Sequence, residues 1–438
     1  MTDPKNPLKL TGVSIQSLYT TVADTSSGGK HAYFFTYTEG IKSPVSIGKK
    51  ENLTDSNADY VIISHSDFLS TLTPLVNLRR SQGRTVAVFD VFDIYDNYSW
   101  GKPLPEGIHA FLSDAYHNWN IPPLYVLLVG DGTSDPKGYD PDSTQTYIPP
   151  YLVDVDPWAG ETAADNRFVT VDPPGDENDI LADMLIGRLP INNPVEANTV
   201  INKIVNYETG PPSGDWQKTI SFVTDDPDDP DSPINNFPED ALYIDHNFTP
   251  AAYNTFHINY PTGGDPNITR SQIRNRWNTG TAVMLYIGHG AIKRWGKTGE
   301  GFWLLDDLSS LANGAKQPFL FDMTCLTGKF QAFEDPTLAE STLREYVDKG
   351  AVAVWGPTGL GVATGHVQLA EGLFSEIFSG YPTDLGKATL AGKIDLLTDK
   401  PYYDDLVDTY VLFGDPATKL QIADLVEKFI YLPLILKP

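Results

Sequence analysis

Ala282-Val-Met-Leu-Tyr-Ile287 runs directly into Gly288-His289-Gly290, and Pro318-Phe-Leu-Phe321 runs into Asp322-Met-Thr-Cys325-Leu-Thr-Gly328. Each is a short, unbroken apolar run, the first closed by glycine, and this is the pattern of a strand buried on both faces in a parallel sheet. In an open sheet of that kind, ligands bind beyond the carboxyl ends of the strands. An imidazole and the only thiol of the chain both fall at such ends, 36 positions apart, about one strand–helix–strand unit.

The same alternation extends outward from these two runs. Upstream, Tyr60-Val-Ile-Ile63, Thr85–Phe89, Leu124–Val129 and Met184–Ile186 read as strands, with helical patterns near 105–119 and 194–208. Ser66-Asp67 reads as a helix N-cap followed by apolar residues to Leu78, with Pro74 marking a kink or a late start. After the Pro211-Pro-Ser-Gly214 linker come Thr219–Val223, the two runs above and Ala351–Trp355, with helices near 268–277, 337–349 and 366–379. Short β-rich runs alternating with amphipathic helices predict parallel βαβ units. The expected organisation is a β-rich extension (1–53), α/β subdomain A (54–210), α/β subdomain B carrying the chemistry (211–422) and a tail (423–438).

Composition excludes several classes. The 438 residues carry 31 Lys and Arg against 57 Asp and Glu, a net charge of −26. Phosphate binding needs a basic surface, so nucleic acid is not an expected partner, and anionic membranes are excluded on the same ground. A single cysteine forbids an intrachain disulfide framework and a Cys-rich zinc site. No apolar stretch approaches the roughly 18–20 residues of a membrane span. Met1–Pro7 has no apolar signal core, which leaves room for a removed leader or flanking domain.

The pairing of His289 with Cys325 has a chemical logic. A thiol of pKa about 8.5 is only partly ionised at neutral pH, and the thiolate is the nucleophile. A neighbouring imidazole ionises it and then protonates a leaving amine. The backbone N–H groups of Gly290 and Cys325 are candidates for an oxyanion hole. The competing reading is packing, with His289 a satisfied core histidine and Cys325 a small buried hydrophobe.

Gly288-His289-Gly290, Trp295-Gly296 and Phe319–Gly328 resemble the His and Cys motifs of the gingipain family of caspase-like cysteine endopeptidases. Leu127-Leu-Val-Gly-Asp131, Leu185-Ile-Gly-Arg-Leu-Pro190 and Val411-Leu-Phe-Gly-Asp-Pro416 resemble that family's framework, in the same order. The resemblance, over about residues 58–422, implies an α/β, caspase-like fold of two tandem subdomains with mostly parallel sheets flanked by helices. It implies Cys325 as nucleophile, His289 as general acid and base, and a carboxylate after Thr219–Val223 orienting the imidazole. Asp225 is preferred for that role over Asp226, although the family commonly has Glu there. The basic-specific members carry an aspartate about eleven residues beyond this carboxylate, where Asn236 and Phe237 stand here, with Glu239 and Asp240 slightly later. The Arg-specific members have a Trp-containing lid, and Gly356–Gly365 has none. Asn236, Phe237, Trp295 and Thr358 are therefore expected to line the substrate site without selecting Arg or Lys, Trp295 being alternatively a loop anchor.

The resemblance also implies structural Ca²⁺, for which Asp226, Asp228 and Asp229 in Asp225–Asp231 are candidate ligands. The spacing is not an EF-hand, and acidic runs of this kind are more often solvated loops than cation sites. No organic cofactor is expected. Family resemblance implies a secreted or cell-surface enzyme acting on protein or peptide substrates, read here as a monomer. Two rivals stand beside it: a catalytically weak relative serving as a binding or secretion-assembly module, and a cysteine transpeptidase. Gly296-Lys-Thr298 lacks phosphate-loop spacing, and neither a Gly-x-Ser-x-Gly elbow nor a His-Glu-x-x-His occurs.

Overall fold

Tyr60-Val-Ile-Ile-Ser64 forms strand β1, and every residue of it is buried. The computed structural model describes residues 14–16, 19–21, 53, 57–175, 179–227, 236–297, 301–333, 336–381 and 383–423. The remaining strands of the main sheet are β2 (Val86–Asp90), β3 (Tyr125–Val129), β4 (Leu185–Leu189), β5 (Thr219–Thr224), β6 (Asn254–Asn259), β7 (Val283–Ile287), β8 (Phe319–Met323), β9 (Ala353–Pro357) and β10 (Tyr410–Phe413). The helices used below are α1 (Thr73–Ser81), α2 (Val91–Tyr98), α3 (Pro105–Asn118), α4 (Pro194–Thr209), α5 (Phe237–Phe248), α6 (Pro266–Thr279) and α7 (Leu338–Arg344).

Local sequence accounts for several boundaries. Asn193 caps α4 by accepting the Val195 and Glu196 N–H groups, and Asp265 caps α6 through Asn267 N–H. A proline follows each cap, at a position where its missing N–H costs nothing. The predicted cap at Ser66 is corrected. His65 accepts the Asp67 N–H and opens a 3₁₀ turn, Ser66–Thr71. The α-helix starts late, at Thr73, with Pro74 in its first turn.

The strands form one ten-stranded sheet in the order β6-β5-β7-β8-β9-β10-β4-β3-β1-β2. All neighbours are parallel except β9 and β10, which are antiparallel. Two parallel blocks therefore run in opposite senses, and the two predicted subdomains share a single sheet. In the first block, Tyr60 and Ile62 face a core with Leu75 of α1 and Val200 of α4, while Val61 and Ile63 face another with Ile94 of α2 and Phe111 of α3. Both faces are covered, which is why these strands read as continuous apolar runs.

The join between blocks is close. Phe413 of β10 pairs with Arg188 of β4, and a Cβ on Gly187 would collide with the Gly414 carbonyl. Residues Met1–Lys50 form a separate unit, in which Ser14–Gln16 pairs antiparallel with Tyr19–Thr21. Residues 424–438 of the predicted tail lie outside the described residues.

Candidate active site

The carboxyl ends of β5, β7 and β8 lie side by side. Ile287 of β7 is in register with Thr224 of β5 on one side and Met323 of β8 on the other. Asp225 follows one residue after Thr224, while His289 and Cys325 each follow two residues after their registered partners. Adjacent strands are about 4.8 Å apart, so the imidazole and the thiol leave the sheet as neighbours. The Gly288 N–H donates to the Met323 carbonyl (3.2 Å), and the Asp225 N–H to that of Ile287 (3.0 Å).

Glycine makes the approach possible. A Cβ on Gly290 would stand 2.8 Å from the Cys325 carbonyl oxygen and would overlap the Thr324 hydroxyl. A Cβ on Gly288 would overlap that of Asp225 and press the Tyr286 hydroxyl at 2.6 Å. The histidine loop therefore lies directly on the cysteine loop and on the carboxylate.

Asp225 is buried, and its carboxylate accepts the His289 backbone N–H (3.2 Å) and the Asp226 N–H (2.8 Å). Below, the Tyr286 hydroxyl donates to the His289 carbonyl (2.6 Å) and accepts from Gly296 N–H (3.0 Å). The Phe237 ring meets the His289 ring edge-on, with centroids 5.5 Å apart. Asn236 occupies the N-cap position of α5 beside it.

Trp295 is fully buried and stacks on Tyr286 at 4.5 Å, next to Trp303 and Trp277. Its indole anchors the histidine loop, which corrects its assignment as a substrate contact. Thr358 is also corrected. It is fully buried, and its hydroxyl donates to the Ala163 (2.6 Å) and Thr409 (3.0 Å) carbonyls, which makes it a fastener between loops.

Cys325 is half-buried, and its thiol donates to the Gly361 carbonyl at 3.6 Å. Burial pushes the thiol above its ordinary range, the Gly361 contact opposes this, and Asp156 adds to the rise. The following residue, Leu326, has φ 63, a left-handed conformation costly for leucine, and its N–H donates to the Gly359 carbonyl (3.0 Å). That turn sets the cysteine at the mouth of the sheet. Asp322, three residues earlier, is fully buried. Burial lifts its carboxyl to about 7, against the opposing effect of the Thr327 hydroxyl and the Trp295 indole.

Sequence reasoning did not assign Asp156, Tyr286, Asp322 or Gly361. Asp322 and Tyr286 stood inside the quoted motifs with no pattern marking a role, and Asp156 lies 169 positions before Cys325. For calcium, Asp226 accepts the Thr262 hydroxyl (2.6 Å), while Asp228 and Asp229 lie outside the described residues. Among the described residues, no group of three or more His, Cys, Asp or Glu side chains is placed to hold a metal ion.

A thiol and an imidazole at adjacent strand ends, with a buried carboxylate holding the histidine's backbone N–H, form a set able to carry out acyl transfer. The family model for peptidase family C25 matches residues 53–421. The chain belongs to that family. Among curated C25 relatives, Gingipain R1 of Porphyromonas gingivalis is 23% identical over 412 residues, which is 89% of this chain and 37% of the relative. Gingipain R2 of the same species is 24% identical over 324 residues, 71% of this chain and 39% of the relative. The chain therefore spans well under half the length of these relatives. The crystal structure of the Arg-specific cysteine proteinase gingipain R superposes with a TM-score of 0.68 at 20% identity, covering 85% of this chain and 80% of that one. The complex of the pro- and mature domains of the P. gingivalis enzyme RgpB gives a TM-score of 0.67. This C25 chain thus has the caspase-like α/β fold expected from its motifs. Among the described residues no helix is long and apolar enough to cross a membrane.

Proposed function

We propose that this C25 member is a cysteine endopeptidase working through Cys325 and His289. The observation that carries the reading is the shared register: the two residues follow paired positions, Ile287 and Met323, on adjacent parallel strands. In the reaction, His289 takes the Cys325 proton and the sulfur attacks the scissile carbonyl carbon. The backbone N–H groups of Gly290 and Cys325 receive the oxyanion. His289 returns its proton to the departing amine as the C–N bond breaks, leaving a thioester. Water, deprotonated by His289, then releases the acid and regenerates the thiol.

Asp225 holds the histidine loop through the His289 backbone N–H, and through that loop it positions the imidazole. Because the raised thiol must be ionised at the moment of attack, the imidazole has to supply the driving force. Phe237, edge-on to His289, and Asn236 at the N-cap before it support a small or apolar P1 residue over Arg or Lys. Family resemblance favours a secreted or cell-surface setting and protein substrates.

The test is Cys325-dependent labelling by peptidyl acyloxymethyl ketones and cleavage of a P1-varied peptide library, each with and without calcium. Cys325→Ala is expected to abolish both, and His289→Ala to lower turnover roughly 100-fold or more. No labelling of the native protein under any condition would leave the binding-module reading standing. Aminolysis products that dominate over acid when an amine nucleophile is added would favour a transpeptidase.

A further inference from the structure

The connection from β3 to β4 crosses the sheet and passes the carboxyl ends of the second block. On the way it forms a hairpin, Leu152–Asp156 with Gly160–Ala163. This hairpin is fastened to the wall beside the nucleophile. Asp156 is buried, and its Oδ2 accepts the Leu360 N–H at 2.5 Å. The next residue, Gly361, is the acceptor of the Cys325 thiol. The Thr162 hydroxyl donates to the Thr358 carbonyl (3.1 Å), and the Thr358 hydroxyl donates back to Ala163 (2.6 Å). The other Asp156 oxygen accepts the N–H groups of Trp158 (2.9 Å) and Ala159 (2.8 Å). One carboxylate therefore links the hairpin tip to the backbone segment that touches the sulfur. At that tip Trp158 is 60% exposed, a large rigid ring with a fixed backbone.

We infer that the 152–163 hairpin forms one wall of the substrate cleft, with the Trp158 indole as a specificity-determining contact for an apolar or aromatic side chain of the peptide. The inference rests on the peptidase reading and adds a subsite built by the first half of the chain. An aromatic ring has few rotatable bonds, and here its backbone is held by Asp156, so it loses little entropy on binding while contributing a large contact area.

The test compares native protein with Trp158→Ala and Trp158→Phe in the kinetics of Cys325 modification. Iodoacetamide reports the thiol alone. A tetrapeptidyl acyloxymethyl ketone with apolar side chains reports the thiol and the cleft together. Trp158→Ala is expected to leave the iodoacetamide rate unchanged and to weaken saturation by the tetrapeptidyl reagent roughly tenfold, with Trp158→Phe recovering most of it. Equal saturation constants for native protein and Trp158→Ala would overturn the inference while leaving the peptidase reading intact. Reaction of native Cys325 with iodoacetamide but not with the peptidyl reagent would overturn both.

Discussion

Asp322 and His366 are titratable side chains enclosed near the cysteine loop, and burial moves them in opposite directions along the pH axis. The Asp322 carboxyl rises to about 7 from 3.8, and the His366 imidazole falls to about 3 from 6.5. In the folded state Asp322 keeps its proton, so its contribution is full below pH 3.8 and is lost as pH rises through about 7. His366 stays neutral, so unfolding takes up a proton below pH 6.5, and stability falls as pH drops from there towards about 3. Asp322→Asn is expected to flatten the loss between pH 4 and 7, by about 4 kcal/mol at the upper limit, and His366→Phe to flatten the acid side. Urea titrations at stepped pH would show both. Gly288 makes a sharper prediction about the site itself. Alanine there would force Asp225 away from His289, so Gly288→Ala should lower peptide turnover at least tenfold while Cys325 still reacts with iodoacetamide.

At the scale of elements, α7 ties the histidine and cysteine loops together. Its Leu338 N–H donates to Ile292 in the histidine loop, and its Ala339 N–H to Thr327 in the cysteine loop. The helix starts at a reciprocal cap, with the Thr337 hydroxyl accepting from Glu340 N–H and the Glu340 carboxylate accepting from Thr337 N–H. Thr337→Ala is expected to cost about 1–2 kcal/mol, seen as a lower urea midpoint at unchanged slope, with reduced turnover at temperatures where the native protein is fully active. Most elements of this size were legible in advance. The strands ending at His289 and Cys325 carry buried apolar runs, and α4 and α6 carry cap–proline starts. The 152–163 hairpin was not read, because its Val-Asp alternation spans only four residues and the one it buries is an aspartate, Asp156. β10 was recognised only as a motif, since four residues carry too little pattern to give a period.

Across the whole molecule, the halves are joined by buried charge as well as by the sheet. Arg79 of α1 is fully enclosed and pairs with Asp415, after β10, and with Glu208, each at 2.7 Å. Arg344 reaches Asp131 (2.9 Å), and Arg167 reaches Asp408 (2.7 Å), again across the halves. Arg79→Ala would leave two carboxylates buried without their cation and should cost roughly 3–5 kcal/mol. Because β10 of the second half lies against β4 of the first, residues 57–210 and 215–423 expressed separately should fail to give cooperative unfolding. Co-expressed or linked, they should unfold in one transition, measurable by circular dichroism.

The sequence by itself determined the alternation of strand and helix, the strand ends that bear His289 and Cys325, and the presence of Asp225 at a third. The strands and their ends follow from local hydrophobic period, which needs no partner to be read, while Asp225 was singled out by the family resemblance. Only the tertiary structure decided that both halves share one sheet with a reversal between β9 and β10. It also decided that Trp295 and Thr358 are fasteners and that Asp156 stands behind the thiol. Each of these depends on strand order and on contacts between residues more than a hundred positions apart or enclosed from all sides, and no periodicity along the chain encodes them.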